Sequence, residues 1–130
     1  MIILTFHKTG TTWTQQLCHQ IRTGGAHTDF EEITEVCPWV DFAWEVNQDL
    51  EAPQVASPRI FKSHARLSAV HEGCKYLATV RDPVKTLVSL FNFFTAKFMP
   101  SPPFPAAWLA DVDSFARCPL WAVDSIWGGA

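Results

Sequence analysis

The chain has 130 residues, of which 48% are hydrophobic and 18% charged, and its formal net charge is −3. This composition is typical of a globular domain with a substantial core, and it excludes a disordered chain. The negative charge argues against a general nucleic-acid binder, which would carry a basic face, but it is compatible with a local basic pocket for a small anion. We therefore predict a single domain over residues 1–130 that does not bind nucleic acid.

Neither a membrane span nor a metal site is predicted. The chain has no run of about 18 apolar residues, and its N-terminus lacks the basic segment and apolar stretch of a signal peptide. There is no CxxC pair, and no two histidines have zinc-ligand spacing. Widely separated cysteines favour reduced thiols in a cytoplasmic protein. They are Cys18, Cys37, Cys74 and Cys118.

The N-terminal segment predicts a strand, a turn and a helix. Residues 1–6 form an apolar, partly β-branched run of strand length. A short polar turn follows, and residues 13–21 are predicted to form a helix capped by Thr11 or Thr12. Thr23, Gly24 and Gly25 are predicted to end it. The helix has one apolar face, made by Trp13, Leu17 and Ile21.

Two more strands are predicted downstream. Residues 27–52 are acidic and aromatic, and they predict a loop, a short helix and a second loop. Residues 59–64 form a short second strand. Residues 75–81 are the clearest strand of the chain, and their nearly continuous apolar centre is typical of a parallel strand covered on both faces.

A second long helix is predicted to begin at Asp82 and Pro83, which suit the N-cap and the first helical position. Proline-rich residues 99–103 stop it, and a short helix is expected near residues 112–117. The apolar residues of the long helix repeat at steps of three and four, and they are Val84, Leu87, Val88, Phe91 and Phe94.

This alternation predicts an α/β fold, a three-layer arrangement of a mainly parallel sheet with helices on both faces. In such sheets, ligands bind at the carboxyl ends of the strands. Polar clusters follow all three predicted strands, at residues 8–12, 62–64 and 81–82. We therefore predict one shared site at this edge.

The first cluster suits an anion such as phosphate or sulfate, because a strand, a small-residue turn and a helix present backbone N–H groups to it. Lys8 adds a movable positive charge. The cluster is not a Walker A loop, since Lys8 precedes Gly10 instead of following the last glycine. A kinase-like phosphotransferase is therefore disfavoured, whereas an ordinary connection between strand and helix remains an alternative.

Three segments resemble motifs of the cytosolic-type sulfotransferase family, in the family's order and separation. Residues 6–13, with the sequence Phe6-His7-Lys8-Thr9-Gly10-Thr11-Thr12-Trp13, are similar to its 5′-phosphosulfate-binding loop. Residues 61–64 resemble the segment that carries the catalytic histidine. Residues 80–89 resemble the 3′-phosphate-binding segment. The resemblance covers nearly the whole chain, but His7 stands where the family usually has proline.

The resemblance implies a P-loop-like nucleotide-binding fold and transfer of a sulfuryl group from 3′-phosphoadenosine-5′-phosphosulfate to a small alcohol, phenol or amine, without a metal. It implies that His64 is the general base, that Lys8 stabilises the leaving phosphate, and that Lys62 holds the transferring oxygens. The implied donor-binding residues are Lys8, Thr9, Gly10, Thr11, Thr12, Trp13, Arg81 and Ser89. Candidates for the acceptor pocket are Phe93, Trp39 and Phe42.

Each of these residues also has an ordinary structural interpretation. His64 could bond to a loop carbonyl, Lys62 could be a solvated lysine at a strand end, and Ser89 could be a tolerated helix hydroxyl. Their joint occurrence at the family's spacing favours the site.

The resemblance is to the N-terminal half of the family's domain, so we expect a truncated chain with weak or no activity of its own. A non-catalytic nucleotide- or anion-binding module is the alternative function. The acceptor and the oligomeric state are left open.

Overall fold

The structure is a computed structural model, and it describes residues 1–70, 72–96 and 105–119. The chain divides into two compact units, Met1–Val80 and Arg81–Ala130. Each unit is described by itself. The first holds the sheet and the second holds the long helix that follows it.

A parallel sheet is the centre of the first unit. Strand β1 (Ile2–Leu4) lies between β2 (Phe61–Ser63) and β3 (Tyr76–Leu77), and it pairs with both in parallel. The carboxyl ends of these strands therefore meet at one edge of the sheet. The predicted α/β class is confirmed, while the arrangement of helices on both faces stays a prediction.

Strand β3 is shorter and more exposed than the sequence predicts. It spans Tyr76–Leu77, Tyr76 is 37% exposed, and Val80, predicted to lie within the strand, is 97% exposed. The prediction of a strand covered on both faces is wrong, because Tyr76 is exposed and Leu77 is only half-buried. Strand β3 pairs with β1 along one side, and β1 is the central strand of the described sheet. An apolar run shows that a segment can be buried, but the pairing order decides which strand is central.

Helix α1 (Thr11–Thr23) begins two residues earlier than predicted. Its N-cap is Gly10, in a left-handed conformation with φ of 102°, and no side chain caps the helix. The prediction of a threonine cap is wrong, because Thr11 and Thr12 lie inside the first turn. The end is as predicted, since Gly24 adopts the left-handed conformation at the C-cap.

The apolar face of α1 does not pack into the core. Trp13, Leu17 and Ile21 are 80%, 55% and 72% exposed. The helix instead buries a mixed face that includes Gln15 and His19. Gln15 Nε2 donates to the carbonyl oxygen of Cys37 at 3.3 Å, so a specific polar contact orients this helix.

The core of the first unit joins the sheet to α1 and to a short helix, α2 (Ile33–Val36). Arg22, in the last turn of α1, ties this layer together. Its guanidinium donates to the carbonyl oxygens of Val36 at 2.6 Å and Pro58 at 3.1 Å, and to Gln54 Oε1 at 2.6 Å. The buried core residues are Ile3, Cys18, Ile33, Val36, Cys37 and Ile60.

The second unit contains α3 (Pro83–Thr95) and α4 (Val112–Ala116). Asp82 caps α3 by accepting the Lys85 N–H at 2.8 Å, which confirms the predicted start. Helix α4 confirms the short helix predicted near residues 112–117. The predicted stop at residues 99–103 lies outside the described residues. The apolar cluster of this unit consists of Leu90, Phe115 and Cys118, with Leu87, Phe91, Phe94, Trp108 and Leu109 packed against it.

Candidate active site

The loop between β1 and α1 is held in place by its own threonines. Thr5 Oγ1 and Thr11 Oγ1 lie 2.6 Å apart. Thr9 Oγ1 donates to the Phe6 carbonyl oxygen at 2.7 Å and lies 2.9 Å from Thr79 Oγ1. Because the hydroxyls of Thr9 and Thr11 are engaged in these contacts, the loop offers an anion chiefly its backbone N–H groups.

Two residues of this loop have the left-handed backbone conformation. Lys8 has φ of 61° and Gly10 has φ of 102°. Glycine adopts this conformation without steric cost, whereas lysine does so rarely. Directly behind the turn, Thr12 and Trp13 are exposed in the first turn of α1. The predicted donor loop therefore combines a lysine with an uncapped helix N-terminus.

His64 directly follows β2, and the same loop orients its ring. Its Nδ1 lies 2.7 Å from the carbonyl oxygen of Thr5. A carbonyl oxygen only accepts hydrogen bonds, so Nδ1 carries the proton and the neutral ring presents Nε2 as its proton-accepting nitrogen. Burial lowers the pKa of His64 below its usual 6.5; the Thr5 hydrogen bond and Asp41 act in the opposite direction, and Lys62 lowers it further. The hydrogen bond of His64 to a loop carbonyl is thus compatible with a role as a base.

His7 lies against His64, which the sequence did not predict. The two ring centroids are 3.9 Å apart. Burial lowers the pKa of His7 to about 3, and the positive groups of His64, Lys62 and Lys8 lower it further against the opposing effect of Asp41. His7 therefore stays neutral beside the candidate base. Its place in the motif, next to Lys8, was the signal that could have indicated this.

Lys62 contacts Trp39, one of the predicted pocket residues. Lys62 Nζ is 3.7 Å from the centroid of the Trp39 ring, and burial lowers the pKa of Lys62. The Trp39 ring lies 4.4 Å from that of Phe42 and 5.3 Å from that of His64, centroid to centroid. The rings of Trp39 and Phe42 thus form an aromatic wall, in which Trp39 contacts His64, while their role in an acceptor pocket stays a prediction.

Asp41 is a further residue that the sequence did not indicate. It lies in the 3-10 helix Val40–Phe42, and its carboxylate accepts hydrogen bonds from Trp39, Ser63 and His64. No motif marks it, because its partners at the end of β2 are distant in the chain.

The remaining predicted residues lie in the second unit. Arg81 is exposed and directly precedes the N-cap of α3, while Ser89 is half-buried about two helical turns further on. Phe93 is 39% exposed, and its ring contacts that of Phe94 at 5.6 Å between centroids. The convergence of Arg81 and Ser89 with Lys8 on one donor molecule stays a prediction, and so does the place of Phe93 in the acceptor pocket.

The sequence also predicts neither a metal site nor a membrane span. Within residues 1–70, 72–96 and 105–119, no group of three or more His, Cys, Asp or Glu side chains is placed to hold a metal ion. None of the helices in this part of the chain has the length and apolar character needed to cross a bilayer.

Comparisons with known proteins agree with the motifs. The sulfotransferase domain family matches residues 1–121, a range that includes all three of them. The chain is also similar to an amine sulfotransferase of Oryctolagus cuniculus, with 30% identity over 98 residues. The similar segment covers 72% of this chain and 32% of that protein, so the chain corresponds to about a third of the length of its relative. This chain belongs to the sulfotransferase family.

Proposed function

We propose that this chain carries the sulfuryl-transfer site of a sulfotransferase domain, with 3′-phosphoadenosine-5′-phosphosulfate as donor and a small cytoplasmic molecule as acceptor. The observation that carries the proposal is the orientation of His64. Its Nδ1–H donates a hydrogen bond to the Thr5 carbonyl oxygen at 2.7 Å, and its lowered pKa keeps Nε2 unprotonated at neutral pH. This is the state that a general base requires.

The proposed reaction needs a proton acceptor and a means of stabilising charge. The acceptor oxygen or nitrogen forms a bond to sulfur, and its proton passes to His64 Nε2. The bond between sulfur and the bridging phosphate oxygen breaks, and its electron pair stays on that oxygen, where Lys8 stabilises the charge. In-line group transfer of this kind depends mainly on position and electrostatics.

The loop residues fit the 5′ end of the donor. Gly10 caps α1 without a side chain, so the backbone N–H groups of Thr11, Thr12 and Trp13 are open to an anion from that direction. We propose that Thr9 binds the same anion through its backbone N–H, because its hydroxyl contacts the Phe6 carbonyl oxygen and the Thr79 hydroxyl.

Further residues are assigned to the 3′ end of the donor and to the acceptor. Arg81 and Ser89 are proposed to bind the 3′-phosphate of the donor, since guanidinium and hydroxyl groups both donate to phosphate oxygens. Trp39, Phe42 and Phe93 are proposed to line an apolar acceptor pocket. Because the relative from Oryctolagus cuniculus is an amine sulfotransferase, amines are the first acceptors to test.

Lys62 supports the proposal by its position and its charge. Its ammonium group lies on the face of Trp39, a contact that the negatively charged sulfate group of the donor can replace. We propose that Lys62 leaves the ring to bind the transferring sulfuryl group.

The proposed function is tested with the 130-residue chain in excess over radiolabelled donor, so that a single slow turnover is registered. We expect sulfuryl transfer to an amine or phenol, and we expect His64→Ala to slow it about 100- to 10,000-fold. Binding of 3′-phosphoadenosine-5′-phosphate, measured by calorimetry, should be unchanged in this variant. His27→Ala is the control, because His27 packs on His19 and Phe30 instead. Nucleotide binding without any transfer would favour the alternative of a non-catalytic binding module.

A further inference from the structure

We propose that Asp41 is a positioning residue of the sulfuryl-transfer site, because its carboxylate ties the backbone of the base His64 to the indole of Trp39. The inference rests on the proposed function for its catalytic consequence. Its structural part concerns the orientation of one histidine, which can be measured in the absence of turnover.

The Asp41 carboxylate accepts three hydrogen bonds. Oδ1 accepts the Ser63 hydroxyl at 2.7 Å. Oδ2 accepts the backbone N–H of His64 at 2.6 Å and the indole N–H of Trp39 at 2.8 Å. Hydrogen bonds to an ionised acceptor are stronger than those between neutral groups, so this carboxylate is well suited to fix its partners.

These contacts hold His64 from two sides. Asp41 holds its backbone N–H, and the Thr5 carbonyl holds Nδ1 of its ring. The Ser63 hydroxyl, which donates to Asp41, also accepts the Ala65 N–H at 3.0 Å. The backbone N–H groups of His64 and Ala65 are therefore both linked to the Asp41 carboxylate, the second through Ser63. With the backbone and Nδ1 both fixed, the direction of Nε2 is determined as well.

The third hydrogen bond fixes the aromatic wall. The indole plane of Trp39 carries Lys62 Nζ on its face and meets the His64 ring at an interplanar angle of 87°. A single carboxylate thus sets the positions of the proposed base His64 and of Trp39, whose ring carries Lys62 and is proposed to line the acceptor pocket. Loss of this group should therefore change the geometry of the reaction while the donor loop stays intact.

An ordinary local role for Asp41 does not account for these partners. A carboxylate that merely capped its own 3-10 helix would bind N–H groups within that helix. Instead, Ser63 and His64 lie 22 and 23 residues further along the chain. Asp41 is exposed, yet both of its oxygens are engaged, so it is placed to position other groups and not to act as the base itself.

Asp41 also acts on the charges of the site. Burial lowers the pKa values of both His64 and Lys62, and the positive charge of Lys62 lowers that of His64 further. The negative charge of Asp41 raises both pKa values. The groups that face His64 are His7, Lys62, Asp41 and the Thr5 carbonyl oxygen. Removing the negative charge should lower the pKa of His64, whereas removing the hydrogen bonds should release its backbone and thereby loosen the contact of its ring with the Thr5 carbonyl oxygen.

Two variants separate these effects. Asp41→Asn keeps an amide oxygen for Trp39 and His64, and the Ser63 hydroxyl can turn to accept from the amide nitrogen. Asp41→Ala removes all three bonds. The control is Asp49→Ala, since the carboxylate of Asp49 accepts the N–H of Glu51, at 2.8 Å, away from the site.

The primary readout is the tautomer of His64, observed by ¹⁵N NMR of the full 130-residue chain. The wild type should show the proton on Nδ1. Asp41→Ala should shift His64 toward the tautomer with the proton on Nε2, and Asp41→Asn should keep the native tautomer with a lower His64 pKa. Asp49→Ala should leave both unchanged.

The second readout is the single-turnover rate of transfer. We expect Asp41→Ala to slow transfer about 10- to 100-fold, with binding of 3′-phosphoadenosine-5′-phosphate unchanged and with most of the rate restored in Asp41→Asn. If the wild type shows no transfer, the proposed function fails while the tautomer still decides the role of Asp41.

The proposal is overturned if His64 keeps its tautomer in folded Asp41→Ala, or if Asp49→Ala has the same effect. If Asp41→Ala does not fold, Asp41→Asn decides alone. A lower His64 pKa then supports the role of the carboxylate, and an unchanged pKa excludes it.

Discussion

The imidazole rings of His7 and His64 lie against each other, with centroids 3.9 Å apart and planes tilted by 31°. Burial lowers the pKa of His7 to about 3, so His7 is neutral at neutral pH. His7 therefore acts on His64 by covering one face of its ring and keeping water away from it. A proline, which the family usually has here, has no imidazole to do this.

Replacing His7 by alanine should raise the pKa of His64 toward its usual 6.5. The reason is that burial is the main cause of the lowered pKa, and the substitution exposes the ring to water. Since the proposed base His64 can accept a proton only when neutral, the acidic limb of the rate profile should move to higher pH. The His64 Cε1 proton reports the pKa by NMR, with His27→Ala as control. A titration curve that does not move would show that His7 is not part of this burial.

The contact between Lys62 and Trp39 should be measurable as a coupling energy. Cation–π contacts of partly exposed groups contribute about 0.5–1 kcal/mol. A double-mutant cycle with Lys62→Met and Trp39→Leu, measured by urea unfolding, should give a coupling in this range. The comparison is Arg59→Met with Trp39→Leu, because Arg59 lies over Phe61 instead, 5.0 Å from the ring centroid. Full additivity of Lys62→Met and Trp39→Leu would contradict the contact.

Gly10→Ala and Gly73→Ala should destabilise the fold similarly but differ in donor binding. Both glycines have left-handed φ values, 102° and 81°, and a Cβ atom at either position would meet nothing within 4 Å. The backbone strain should therefore cost each variant about 1–2 kcal/mol of unfolding free energy. Only Gly10→Ala should weaken the binding of 3′-phosphoadenosine-5′-phosphate in calorimetry. Equal binding by the two variants would argue against the assigned donor loop.

The same substitution at two isoleucines should distinguish the core from the exposed face of α1. Ile3 is fully buried, so Ile3→Ala should lower the free energy of unfolding by about 2–5 kcal/mol. Ile21 is 72% exposed, so Ile21→Ala should change it by less than about 0.5 kcal/mol. Chemical unfolding measures both. A large loss in Ile21→Ala would show that this face is covered in solution.

Features that depend on neighbours in the chain were predictable. Asp82 and Pro83 begin α3, and Gly24 ends α1, because helix caps are made by adjacent residues. The parallel α/β arrangement followed from the alternation of segments. The prediction that Lys62 and His64 lie at the carboxyl edge of the sheet also held, since parallel strands share that edge.

By itself, the sequence determined the family, the class of fold and the polar segments that lie at the carboxyl ends of β1 and β2. Only the tertiary structure decided which face of α1 is buried, which tautomer His64 adopts, and that Asp41 and His7 contact it. The physical reason is that these properties depend on carbonyl oxygens, carboxylates and rings from distant parts of the chain. Hydrophobic periodicity does not record such partners, and a hydrogen bond such as that between His64 and Thr5 exists only once the strands have paired.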